Sequence, residues 1–209
     1  ITRATNQATP INTRAGILVE SATLTLPTAV PTAGASAGGA GATGGALPVA
    51  LPIDLRGGTA AVVEPTTGKV RAQRVDTARG IGGVDQLQAA VKPLATVGGS
   101  AALAVGVDGS VYAVSAASGQ LAVLHPLPAG GFTEPAMSDL GFTAPSVQLT
   151  VVGTRWVVFD PASGLLRADG LRSPIDLGSV LGDLLGSAGT AYTVVQQPGD
   201  DAAGVLVAT

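Results

Sequence analysis

The sequence predicts an all-β chain, an irregular β-propeller-like repeat of antiparallel meanders, and three observations carry that prediction. Gly (30) and Pro (14) together make up about a fifth of the 209 residues, more punctuation than a helical protein tolerates, so short strands between many turns are expected. A strand-and-turn unit recurs four times from about residue 48 onward. The middle strand of that unit is apolar on both faces, as in Val62 with Val63 or in Val157, Val158 and Phe159, which suits a sheet covered on two sides. An ordinary β-sandwich of hairpins is the alternative, because Gly-rich turns recur in any antiparallel protein.

Taken in order, residues 1–27 read as N-terminal strands belonging to the β module, around residues 1–4 and 17–26. The second of these alternates Ile17, Val19 and then Ala22, Leu24, Leu26 with Ser, Thr and Glu, so one face can be buried. Residues 28–47 hold Gly, Ala, Pro and Thr without charge or large side chains, and read as a flexible loop or linker. Residues 48–209 carry the repeats. The copies are 58–68 (GTAAVVEPTTG), 109–119 (GSVYAVSAASG), 153–164 (GTRWVVFDPASG) and 189–199 (GTAYTVVQQPG). The third has one extra residue and the fourth is the weakest, yet Val63, Val114, Phe159 and Val194 all stand five residues before the closing glycine.

Turn chemistry explains the spacing. Asp108-Gly109 between 102–107 and 111–115 has the form of a short hairpin whose Asp-Gly supplies positive φ. Thr67-Gly68, Ser118-Gly119 and Ser163-Gly164 allow the next reversal, giving three-stranded meanders in the first three copies; in the second these strands are 102–107, 111–115 and 120–124. The closing glycines lie 51, 45 and 35 residues apart, bracketing the length of a propeller blade. Two segments have weak helical character, 84–92 with Asp85 as cap and Pro93 as stop, and 175–185, weakened by Gly178 and Gly182; each is expected to give one short turn at most.

The same residues bound the function. Eleven basic against 14 acidic side chains leave a net charge of −3, and the densest basic group, Arg71, Arg74 and Arg79, is interrupted by Asp76, so the electrostatic footprint of a nucleic-acid binder is missing. With no Cys, disulfides and thiolate metal sites are impossible. A start at Ile1 with no basic or apolar leader region reads as a processed product or an excised segment. Mean hydropathy is +0.44, but the apolar runs are broken by Gly, Pro, Thr and Asp and none has the length of a membrane span.

Candidate chemistry is sparse. His125 is the sole histidine and precedes Pro126, so it reads as a loop residue with no designated nucleophile, and one His with no Cys cannot build a His-based zinc site. Asp200 and Asp201 follow Gly199 and read as a solvated hairpin tip, since calcium requires more oxygen ligands than two neighbours supply. Asp108 and Asp160-Pro161 are turn residues. Residues 34–45 lack the Gly-Lys-Ser/Thr ending of a P-loop, and Gly80-Ile81-Gly82-Gly83 lacks the third glycine of a dinucleotide fingerprint. Neither Asn6 nor Asn12 opens a glycosylation acceptor. Aromatic residues total 3%, too few for a base-stacking platform. Trp156, mid-strand, reads first as a filler between sheets; with Tyr112 and Tyr192 it is also one of the few groups able to stack on a ligand. No catalytic, cofactor-binding or metal residue is assigned, and no cofactor.

The segments TAAVVEPTTGKV and RWVVFDPASGLL, with the opening Ile1-Thr-Arg-Ala-Thr-Asn-Gln and the later Ile11-Asn-Thr-Arg, resemble the N-terminal propeller-like region of large actinobacterial cell-surface proteins that carry fibronectin type III or other immunoglobulin-like domains. The resemblance implies an extracellular, surface-attached protein whose anchor and immunoglobulin-like modules lie outside this segment, and it carries over no catalytic residue. Four copies are few for a closed propeller, so blades are missing or come from other chains. The expected function is a non-enzymatic structural or protein-interaction module that meets a protein partner or itself, with a carbohydrate- or small-ligand-binding propeller as the alternative.

Overall fold

In a computed structural model the chain is described at residues 7–8, 11–12, 17–18, 24–25, 53–74, 92–182, 191–196 and 203–208. Near the start, β1 (Gln7–Ala8) pairs with β4 (Leu24–Thr25), and β2 (Ile11–Asn12) with β3 (Ile17–Leu18). Three antiparallel four-stranded sheets then follow in chain order. The first comprises β5 (Ile53–Arg56), β6 (Thr59–Val63), β7 (Lys69–Arg74) and β8 (Ala95–Thr96). The second comprises β9 (Ala101–Val105), β10 (Val111–Ser115), β11 (Gln120–Leu124) and β12 (Ala136–Asp139). The third comprises β13 (Gln148–Val152), β14 (Arg155–Asp160), β15 (Leu165–Ala168) and β16 (Ile175–Asp176). A hairpin of β17 (Ala191–Gln196) and β18 (Ala203–Ala208) completes the described residues.

The all-β class and the antiparallel meanders are as expected, and no closed propeller is formed among the described residues. Each meander has four strands rather than three. The extra strands β8, β12 and β16 were illegible because two hold only two residues and the third, Ala-Met-Ser-Asp, is exposed throughout, so neither length nor alternation marks them. Asp108-Gly109 is not a two-residue primed turn. Val105 pairs with Val111 across a five-residue loop, in which Gly109 N donates to Gly106 O and positive φ falls on Gly109 alone. That is a tight turn followed by a left-handed glycine. The turn with both central residues at positive φ is Gly57-Gly58, between Arg56 and Thr59. Residues 175–176 are strand, and the helical turn there is α1 (Gly178–Leu181). The expected strand at 1–4, the loop 28–47 and the helical residues 84–91 lie outside the described residues.

The reversal after each middle strand is one module used three times. Its first residue is Glu64, Ser115 or Asp160 and its last is Gly68, Gly119 or Gly164. The closing glycine donates to the carbonyl of the first residue, at 2.7, 2.9 and 2.9 Å. The hydroxyl of Thr67, Ser118 or Ser163 accepts from the amide two residues on, which tightens the exit into the next strand. The glycine's own carbonyl then accepts from the amide of Val97, Leu140 or Leu177, just past the fourth strand. No side chain fits at this point: a Cβ on Gly68 would stand 2.1 Å from Gly98 O, and one on Gly119 2.1 Å from Phe142 O, at φ +68° and +69°.

The sheets stack through their first strands. β9 lies against β5 and β6 on one side and β13 on the other, and β13 meets the β17–β18 hairpin. β6 and β10 are buried along their whole length. Val111 and Ala113 of β10, with Ala122 and Leu124, face Val63, Val70 and Val97 of the first unit. Val114 and Leu121 face the opposite way, onto Val158 and Leu140. Because Leu121 and Leu124 are both fully buried, on different faces of β11, truncating either leaves a cavity on its own side. Leu121→Ala and Leu124→Ala are each expected to lower the free energy of unfolding by about 2–5 kcal/mol in urea titrations. Met137→Ala, on exposed β12, should change it by less than about 0.5 kcal/mol.

Candidate functional site

The recurring turn places two arginines at one position of the unit. Three residues after the closing glycine stand Arg71 in the first sheet, Ala122 in the second and Arg167 in the third, paired across the ladder with Val62, Ala113 and Val158. Arg71 is buried, and its Nη1 meets Glu64 Oε1 at 2.6 Å. The second oxygen of Glu64 accepts from the Thr67 hydroxyl at 2.7 Å. That bond, with the Arg71 guanidinium, holds the Glu64 carboxyl below the usual carboxylate range against the opposing effect of burial.

Arg167 is different. The corresponding acid is Asp160, one methylene shorter, and its oxygens are taken by its own turn, Oδ1 accepting from Ala162 N at 2.9 Å and Oδ2 from the Ser163 hydroxyl. Among the described residues Arg167 makes no hydrogen bond or ion pair, and its Nε is buried without a partner. The guanidinium carbon sits 5.2 Å from the centre of the Phe142 ring. Arg167 also lines a groove of about 180 Å³ at the junction of the second and third sheets, bounded by Asp139, Trp156, Leu171, Arg172 and Ser173. Asp139 is engaged through Oδ1 with Gly141 N at 2.7 Å.

A second polar cluster joins the loop before β10 to the strand exit after β11. Ser110 Oγ lies 2.7 Å from Asp108 Oδ2 and 2.8 Å from His125 Nδ1. Ser, His and Asp thus meet, but Asp108 faces the serine rather than the imidazole, and Ser110 is fully buried while His125 is exposed. An acyl-transfer triad needs the acid on the far ring nitrogen and an accessible hydroxyl. The trio instead fastens the 125–133 hairpin, where His125 N donates to Thr133 Oγ1 and Thr133 N to His125 O.

Of the aromatic residues singled out as stacking groups, Tyr112 is 1% exposed and its hydroxyl donates to Thr154 O at 2.6 Å, so it fastens the second sheet to the third and presents no face to a ligand. Trp156 is half-buried; it packs against two neighbouring apolar clusters between the second and third sheets and lines the groove. The side chain of Tyr192, and Asp200, Asp201 and residues 34–45 and 80–83, lie outside the described residues. Arg167 was missed in the sequence although a signal exists, the shared offset of Arg71 and Arg167 from their closing glycines. Among the described residues no three His, Asp or Glu side chains gather as metal ligands, and no helix is long and apolar enough to cross a membrane. Compared with known protein families and with characterised proteins, the sequence matches neither a family nor any individual protein.

Two titrations test these contacts. The depressed Glu64 carboxyl contributes stability above its unfolded value of about 4.3, and that contribution is lost as pH falls through the lower folded value. Glu64→Gln should therefore flatten the acid limb of stability against pH below about pH 4, read by urea midpoints. Burial, with Asp108 nearby, pushes the Tyr112 phenol up to about 12. The unfolded phenol titrates near about 10, so stability holds below that pH and falls as the pH rises towards the folded value. Tyr112→Phe should cost about 1 kcal/mol at neutral pH and shallow the alkaline fall.

Proposed function

We propose that this chain is a non-enzymatic, extracellular structural and protein-interaction module with an irregular propeller-like build, part of a larger surface protein or assembly. The observation that carries the reading is the division of labour within the repeats. Middle strands spend their side chains on contacts between sheets, while the outer strands leave Met137 (45%), Leu171 (49%) and Ile175 (46%) exposed on or beside β12 and β16. Large apolar side chains on outer strands suit contact with another protein. First-strand packing of successive four-stranded meanders favours a propeller-like over a sandwich arrangement, because a sandwich places its strands in two facing layers. The surface location, and attachment to immunoglobulin-like modules, follow from the resemblance of the repeats to actinobacterial surface proteins.

The reading that the groove beside Trp156 binds a carbohydrate or small ligand is second, favoured by the half-buried Trp156 that lines it and by the unpaired Arg167.

Light scattering on the purified chain, with capture from cell envelopes, tests the first reading. A defined oligomer or a captured envelope protein is expected, lost on deleting residues 28–47 or in Met137→Asp with Ile175→Asp. A folded monomer near 20.3 kDa that captures nothing overturns it.

A further inference from the structure

We infer that the groove between the second and third sheets binds a carboxylate-bearing sugar, with Arg167 gripping the carboxylate and Trp156 covering the ring. The inference rests on the small-ligand reading and specifies its chemistry.

The argument starts from a comparison internal to the chain. Arg71 and Arg167 occupy the same place in two copies of one unit, yet only Arg71 is neutralised, by Glu64 at 2.6 Å. In the third sheet the acid is Asp160, whose carboxylate is consumed by Ala162 N and the Ser163 hydroxyl and whose shorter stem does not bring it into an ion pair with Arg167. The position therefore presents a guanidinium without a protein carboxylate. Contact with Phe142 steadies the guanidinium plane but supplies no acceptor, and Nε stays buried without a partner. A guanidinium fork matches the two oxygens of a carboxylate, and the pair is stronger away from bulk water.

The walls narrow the class. Arg172 adds a second positive charge at the rim, while Asp139 adds one negative charge and is engaged with Gly141 N, so the groove favours an anion. Its volume of about 180 Å³ falls below the roughly 300 Å³ at which sites for drug-sized ligands begin, so it takes one ring rather than a chain of them. Trp156 gives that ring an apolar wall, and Ser173 stands at the rim beside its hydroxyls. A uronic acid uses all of these features together.

Because Trp156 is the only tryptophan in the chain, the indole fluorescence and N–H resonance come from a residue that lines the groove. The experiment titrates the full chain with glucuronate, glucose, acetate and inorganic phosphate. Glucuronate should give a saturable change, with glucose, acetate and phosphate at least about tenfold weaker, since each lacks either the planar carboxylate or the ring. Arg167→Lys keeps a charge and a long stem but loses the fork, and should weaken glucuronate about tenfold. Asp160→Glu places here the residue that closes the same backbone turn in the first sheet and copies the Glu64–Arg71 pair, and should weaken it similarly by occupying Arg167. Circular dichroism confirms that both variants are folded; if Arg167→Lys is not, Asp160→Glu decides. Equal responses to glucuronate and glucose overturn the carboxylate assignment while leaving a sugar site standing. Equal responses to glucuronate and acetate or phosphate overturn the role of the ring. No response to any of the four overturns both this inference and the small-ligand reading.

Discussion

Each sheet between two others must be apolar on both faces, and most of what is particular about this chain follows from that constraint. Along β10, Val111 and Ala113 turn towards the first sheet and Tyr112 and Val114 towards the third, so no register of the strand has a solvent face. A polar side chain in such a layer is tolerated only when its hydrogen bonds are complete. The buried examples comply: Thr59 Oγ1 accepts from Arg74, Ser110 is held by Asp108 and His125, and Ser115 Oγ donates to Gly99 O. A content of 12% charged residues is the compositional trace of the same rule.

Apolar layers specify that sheets pack, but not where along their length, because hydrophobic contact has no direction. Register between sheets comes from directional bonds, and a side chain supplies one of them at each junction. Asp54 on β5 accepts from Val105 N of β9 at 2.7 Å, Tyr112 of β10 donates to Thr154 O at 2.6 Å, and Gln148 on β13 accepts from Val194 N of β17 at 2.6 Å. Three different side chains thus do the same job. The hydrogen bonds that the amides of Val97, Leu140 and Leu177 donate to the carbonyls of the closing glycines fix the other end of each unit, and they use backbone alone, which is why that part repeats so evenly.

This difference explains what the sequence made legible. The middle strands and the closing turns were readable, because apolar runs, and glycines on which a Cβ would stand 2.1 Å from a neighbouring carbonyl oxygen, leave little choice of residue. The four-residue β12 and the two-residue β8 and β16 were not, since a short outer strand is held by ladder bonds that any residue can make. Asp108 was read as a turn residue, correctly as to place, but the meeting of Asp108 and Ser110 with His125 depends on the β10–β11 pairing, since His125 lies fifteen residues of chain from Ser110. The candidate groove was illegible for the same reason: Asp139, Trp156, Arg167 and Arg172 come together only through the meander register and the stacking of two sheets. Only the common offset of Arg71 and Arg167 was available in one dimension.

That offset also separates scaffold from site. If the arginine at this position served only to hold the unit, each copy would need it, and Ala122 in the second sheet does without. If it served only as half of an ion pair, the third copy would carry a glutamate like Glu64, and it carries Asp160, committed to its own turn. An aliphatic side chain at 167 would leave no buried Nε and would lie against Phe142 at least as well. Chains that satisfy local rules elsewhere tend to break them where a ligand is to be held. Here the breach falls on a guanidinium that lines, with the chain's single tryptophan, a groove at the junction of the second and third sheets.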